Sequence, residues 1–148
     1  MADATSSTGT TPVVTVRRHI AAPPEKVFAA WTDEKGMERW MCPAPSERAD
    51  VSLDVRVGGR FRIDMHGQGQ VHEHEGEYLE VDPPRRLVFT WVSKSTGGRD
   101  SRVTVDLAPA GGGTDVVLTH EGLPSADSAQ GHETGWTDIL RKLEERVA

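Results

Sequence analysis

The chain has 148 residues, 36% hydrophobic and 27% charged, with a formal net charge of −6. That length suits one domain with a real core, and the composition excludes global disorder. The acidic balance argues against nucleic acid as the main partner, because phosphate binding needs a basic footprint and the pairs Arg17–Arg18 and Arg85–Arg86 are too dispersed to make one.

Residues 1–12 are rich in Ser, Thr and Gly and read as a disordered tail, so the expected domain spans residues 13–148. The tail lacks the basic start and apolar run of a secretory signal. No stretch approaches the roughly 20 apolar residues of a membrane helix. The simplest compartment is the cytoplasm, with no membrane partner. The single cysteine, Cys42, leaves no internal disulfide framework and no cysteine-rich zinc site.

Residues 13–20 alternate and are rich in β-branched side chains, which predicts a strand. Pro24 and Glu25 suit the first turn of a helix, and Val27, Phe28, Ala30 and Trp31 follow at helical spacing. Thr32-Asp33 offers caps for a second short helix over 34–41, burying Met37, Trp40 and Met41 before Pro43 and Pro45. Strands are predicted over 49–55, 60–66, 71–81, 87–93, 102–107 and 115–120, joined by turns rich in Gly, Pro and Asp. Successive hairpins imply an antiparallel meander. Ser125 or Asp127 caps a last helix to about residue 147, with Trp136, Ile139, Leu140, Leu143 and Val147 on one stripe. A one-sided helix and a one-sided sheet must cover each other, which gives an α+β two-layer domain.

Several strings together resemble a known family. They are Pro23-Pro24-Glu25-Lys26-Val27-Phe28 with Trp31-Thr32-Asp33 and Trp40, then Val57-Gly58-Gly59-Arg60-Phe61. Gly76-Glu77-Tyr78, the run from Asp82-Pro83-Pro84 to Phe89-Thr90-Trp91, Thr119-His120-Glu121-Gly122 and Gly135-Trp136 complete the set. In order and spacing they resemble the SRPBCC (START-like, helix-grip) superfamily. The resemblance is to the group related to the C-terminal domain of the heat-shock-protein-90 ATPase activator, over roughly residues 13–147. It implies a helix-grip fold: a curved antiparallel sheet wrapped around a long C-terminal helix, with two short helices after the first strand and a cavity between. It also implies carriers and enzymes for apolar small molecules, and bacterial members mostly without an assigned ligand. The segment after Trp40 departs from the family pattern: Met41-Cys42-Pro43 stands where another aromatic and Gly-Pro are common.

Register arithmetic places the candidate cavity face. An even loop at residues 67–70 pairs Met65 with His72 and Ile63 with His74; an even loop at 82–85 pairs Tyr78 with Phe89 and Gly76 with Trp91. One face then carries Met65, His72, His74, Tyr78, Phe89 and Trp91, but Glu80 falls inward beside Leu87, which a bulge would relieve. Leu118 and His120 share the inner face of the last strand. Phe28, Trp31 and Trp40 on the short helices and Trp136 on the long one supply walls. These twelve residues are the expected ligand contacts, apolar with a few polar groups to orient a ligand.

The sharper chemistries are weaker. His72-Glu73-His74-Glu75 has its histidines at i, i+2 on a strand, the wrong spacing for a zincin helix, and no metal or other cofactor is expected. A buried His beside Tyr78 would serve as a general base for an enzyme acting on a hydrophobic carbonyl compound, yet no nucleophile–base–orienter set is visible. Cys42 is expected to be an unperturbed thiol with Arg39 its only nearby cation. The expected function is binding of an apolar or aromatic small molecule. The alternatives are a chaperone-interacting module, by resemblance, and that acid–base enzyme. An exposed edge strand would support a homodimer.

Overall fold

A computed structural model describes residues 12–148. The expected tail therefore lies outside the described residues, apart from Pro12. Seven strands form one sheet: β1 (Val14–Ile20), β2 (Arg48–Leu53), β3 (Arg60–Gly67), β4 (Gln70–Asp82), β5 (Arg86–Ser93), β6 (Ser101–Ala110) and β7 (Gly113–Glu121). Two short helices, α1 (Pro24–Trp31) and α2 (Glu34–Trp40), follow β1, and α3 (Ala126–Val147) closes the chain. The sheet order is β1-β7-β6-β5-β4-β3-β2, with antiparallel pairing throughout. Only β1 joins the meander out of sequence, beside β7. This is the expected helix-grip architecture. No helix of the described residues is long and apolar enough to cross a membrane.

The local chemistry explains the elements. In β3, Phe61, Ile63 and Met65 are buried while Arg60 and Arg62 face water. The β3–β4 loop is even: Gly67 pairs with Gln70, and Gln68 (φ 52°) and Gly69 (φ 74°) make the positive-φ pair of a type I′ turn. Met65 therefore sits opposite His72 and Ile63 opposite His74, as expected.

The β4–β5 loop corrects an expectation. Asp82 pairs with Arg86, so the loop is odd, not even. A register shift between Tyr78 and Glu80 offsets the extra residue and restores Tyr78 opposite Phe89. The bulge turns Glu80 outward, where it meets Arg86 at 3.5 Å, and leaves Leu87 buried. The conflict between Glu80 and Leu87 is thus resolved at the residue the sequence marks.

The α3 N-terminus is capped by Ser125, whose Oγ accepts from Ser128 N at 3.1 Å. Its stripe of Trp136, Ile139, Leu140, Leu143 and Val147 is buried against the sheet. At α2, Asp33 occupies the cap position without a side-chain cap bond. Its carboxylate lies over Gly36 instead, where an added Cβ would approach Oδ2 to 2.6 Å. The convex face of β2–β4 carries exposed ion pairs, among them Arg62–Glu73 (2.9 Å) and Arg60–Glu75 (3.1 Å). Such pairs add little stability each; they keep that face in water and assign the concave face to the helices.

Candidate ligand cleft

The space between sheet and helices divides into two ends. At the end covered by α1 and α2, aromatic side chains close the interior. Trp31 meets Trp40 edge-on at 5.0 Å, and Phe89 lies against Trp31, Phe61, Tyr78 and Trp91 at 5.4–6.4 Å. The void left among them is about 10 Å³, room for a single water at most. Burial pushes the Tyr78 hydroxyl up from its ordinary value. The indole nitrogens of Trp31, Trp40 and Trp91 are buried with no partner among the described residues.

At the other end a cleft of about 290 Å³ opens between the N-terminal half of α3, the inner face of β3–β5 and residues 43–46. Of the twelve expected contacts, Met65, His72, His74, Trp91 and Trp136 line it. Phe28, Trp31, Trp40, Tyr78, Phe89, Leu118 and His120 lie elsewhere in the buried interior. Ile139, Ser95, Ser128, Asp127 and His132 line the cleft as well.

The cleft exists because α3 is stripped of side chains where it crosses the opening. Gly131 and Gly135 sit one turn apart in mid-helix. A Cβ on Gly131 would meet nothing within 4 Å, and one on Gly135 would only touch Pro43 at 3.7 Å. Helical glycine costs about 1 kcal/mol relative to alanine, and here the absent side chains are the opening. The opposite wall, residues 43–46, is tied to α3: Ala44 N donates to Asp138 Oδ2 at 2.9 Å, and Lys142 Nζ donates to Cys42 O.

Behind the cleft a hydrogen-bond chain joins helix to sheet. Trp136 Nε1 donates to His120 Nδ1 at 3.0 Å. That fixes Nδ1 as an acceptor, so Nε2 carries the proton and donates to Ser101 Oγ at 2.7 Å. Ser101 Oγ donates in turn to Trp91 O at 2.6 Å. His120 is 0% exposed with both nitrogens occupied, and burial first, then the neighbouring His132, lowers its pKa to about 3. It is a neutral brace that orients Trp136; neither lone pair nor proton is free for a metal or a substrate. Among the described residues, no three His, Cys, Asp or Glu side chains gather to hold a metal.

His74 lies against Trp91, ring centroids 4.8 Å apart, with Nδ1 3.3 Å from Ile63 O. Burial lowers its pKa to about 4. His132 crosses His120 edge-on at 4.7 Å, and its Nδ1 lies 2.8 Å from Ser128 O. Burial holds its pKa below the ordinary value too. Sequence reasoning missed His132; the signal was there in Ser128, His132, Trp136 and Ile139, which recur at one-turn spacing on one face. Cys42 also departs from expectation: burial raises its pKa, and the neighbouring cation is Lys142.

Comparison with known proteins agrees with this architecture. The family model described as Activator of Hsp90 ATPase homolog 1-like protein matches residues 21–148. Protein CV1439 from Chromobacterium violaceum superposes with a TM-score of 0.81 at 30% identity, covering 91% of this chain and 96% of that one. CalU16 from Micromonospora echinospora gives 0.72 at 28% identity, over 93% of this chain and 77% of its own. Protein MLL2253 from Mesorhizobium loti gives 0.73 at 28% identity, over 90% and 95%. No curated protein matches the chain. With its motifs, its helix-grip sheet and a family match over most of its length, the chain belongs to the Activator of Hsp90 ATPase homolog 1-like family, of SRPBCC type.

Proposed function

We propose that the protein binds an apolar or aromatic small molecule in the cleft beside Gly131 and Gly135. The observation that carries this reading is the pair of helical glycines facing a 290 Å³ opening walled by Trp91, Trp136, Met65 and Ile139. A cleft of that size, mostly apolar with a few convergent polar groups, has the make-up of a small-molecule site. Affinity would come chiefly from apolar burial, with the histidines giving orientation. Catalysis has less support, because His120 is braced at both nitrogens and the hydroxyl beside His132, Ser128 Oγ at 3.4 Å, donates its proton to Ser95 O while His132 Nδ1 donates to Ser128 O.

The family description favours a second reading, a chaperone contact. An interaction module would present an exposed apolar or charged patch, and an apolar one would have to reach several hundred Å². The exposed large apolar side chains among the described residues are Val13, Val57, Val71 and Leu79, too few to build one.

The test is a tryptophan-fluorescence and thermal-shift screen of apolar and aromatic compounds on the wild type and on Gly131→Phe. Hits that raise the melting temperature of the wild type and vanish in the folded variant support the cleft. Hits that survive Gly131→Phe unchanged, or no hit across a broad panel, sink it.

A further inference from the structure

Two imidazoles give the cleft acceptors that the protein leaves unanswered, and this narrows what it can hold. His132 Nδ1 lies 2.8 Å from the backbone carbonyl of Ser128. A carbonyl only accepts, so Nδ1 carries the proton, and a neutral ring then leaves Nε2 as a bare acceptor. That atom has no hydrogen-bond partner among the described residues. His74 repeats the arrangement across the cleft, its Nδ1 facing Ile63 O and no protein partner at Nε2 among the described residues. Two of the donors nearby are already used, Ser128 Oγ by Ser95 O at 2.6 Å and Trp136 Nε1 by His120, while the buried Trp91 Nε1 has no partner among the described residues.

Charge points the same way. None of the residues lining the cleft is Lys or Arg, and its one formal charge is the Asp127 carboxylate. Lys94 lines an adjoining groove, together with Glu73. An anion entering the cleft would leave water without meeting a cation, a desolvation cost nothing there offsets.

Resting on the ligand-binding reading above, we infer that the cleft selects a neutral aromatic molecule bearing a hydrogen-bond donor, a phenol-type hydroxyl, which Nε2 of His132 accepts while the ring lies against Trp91 and Trp136. Carboxylates and donor-free ethers of the same ring are discriminated against, the first by charge and the second by an unanswered acceptor.

Three probes of one shape test this by calorimetry on the full chain at pH 7: 2-naphthol, 2-methoxynaphthalene and 2-naphthoate. The expected order places 2-naphthol about tenfold tighter than either, the scale of one neutral hydrogen bond. His132→Phe should erase that preference while 2-methoxynaphthalene binds as before, and His132→Gln, which keeps an acceptor, should restore part of it. Melting curves of both variants confirm that they fold. Equal binding of naphthol and ether, with both blocked by Gly131→Phe, overturns the donor inference and leaves the cleft standing. Tightest binding of 2-naphthoate overturns it as well. If no probe binds, or Gly131→Phe changes nothing, the cleft reading itself fails and the inference falls with it.

Discussion

The two ends of the interior share one sheet and draw on the same kinds of residue, yet one is sealed and the other open. At the sealed end, α1 and α2 press Phe28, Trp31, Met37 and Trp40 into the sheet, against partners such as Phe61, Tyr78 and Phe89. At the open end only α3 covers the sheet, and it does so with Gly131 and Gly135. Aromatic residues on a concave sheet therefore do not announce a cavity. What decides is whether the covering element brings side chains of its own.

The largest expected effect falls at the sealed end. Phe89→Ala removes the ring on which Trp31, Phe61, Tyr78 and Trp91 converge, and a truncation of that kind in a close-packed core costs about 3–5 kcal/mol. Urea unfolding reads it as a fall in midpoint at unchanged slope. Trp136→Phe at the open end should cost less, since it keeps the packing and gives up chiefly the bond to His120. Equal losses at the two ends would mean the open end is packed as tightly as the sealed one.

Acid should separate the ends next. His74 and His120 have folded pKa values of about 4 and about 3, lowered by burial, and His132 is lowered as well. In the unfolded chain each takes up its proton near pH 6.5. Below that pH the unfolded state binds more protons than the folded state, so stability is complete above pH 6.5. It is lost as pH falls toward about 4, by about 1.4 kcal/mol per pH unit for each histidine held neutral. The ionisable side chains that face His132 are His120 on β7, His74 and His72 on β4, and Asp127 on its own helix. His120→Gln should flatten the pH slope by one histidine's worth, whatever it does to absolute stability. A stability that stays flat from pH 7 to 4.5 would contradict the neutral imidazoles.

This asymmetry also explains what the sequence could and could not reveal. The fold was legible because alternation in β3, the turn chemistry of Gln68-Gly69 and the apolar stripe of α3 all agree. Even the bulge was legible, as the misplaced Glu80. The division of the interior was not. Trp31, Trp40, Tyr78 and Phe89 share the hydrophobic signature of Trp91 and Trp136, and periodicity assigns a face without saying what lies over it. His132 escaped because a half-buried polar residue on an amphipathic helix looks like a boundary position until Ser128 and His120 are seen beside it.

The smallest expected effect is the one that bears most directly on why the cleft is there. Gly131 is exposed, in regular helix, with open space where a Cβ would stand. Gly131→Ala should therefore stabilise the protein by about 0.5–1 kcal/mol through a less flexible unfolded chain, or about 2–4 °C for a full kcal/mol in a domain of this size. Gly135→Ala should gain at least as much, because its methyl would rest in ordinary van der Waals contact with Pro43 at 3.7 Å. Thermal melts of the two variants, each with a 2-naphthol titration, give the ordering. A methyl at 131 that raises the melting temperature and weakens the probe means that helix stability has been given up for room in the cleft. A methyl that lowers the melting temperature would mean that Gly131 serves the backbone of α3, and the opening beside it would be a by-product of the fold.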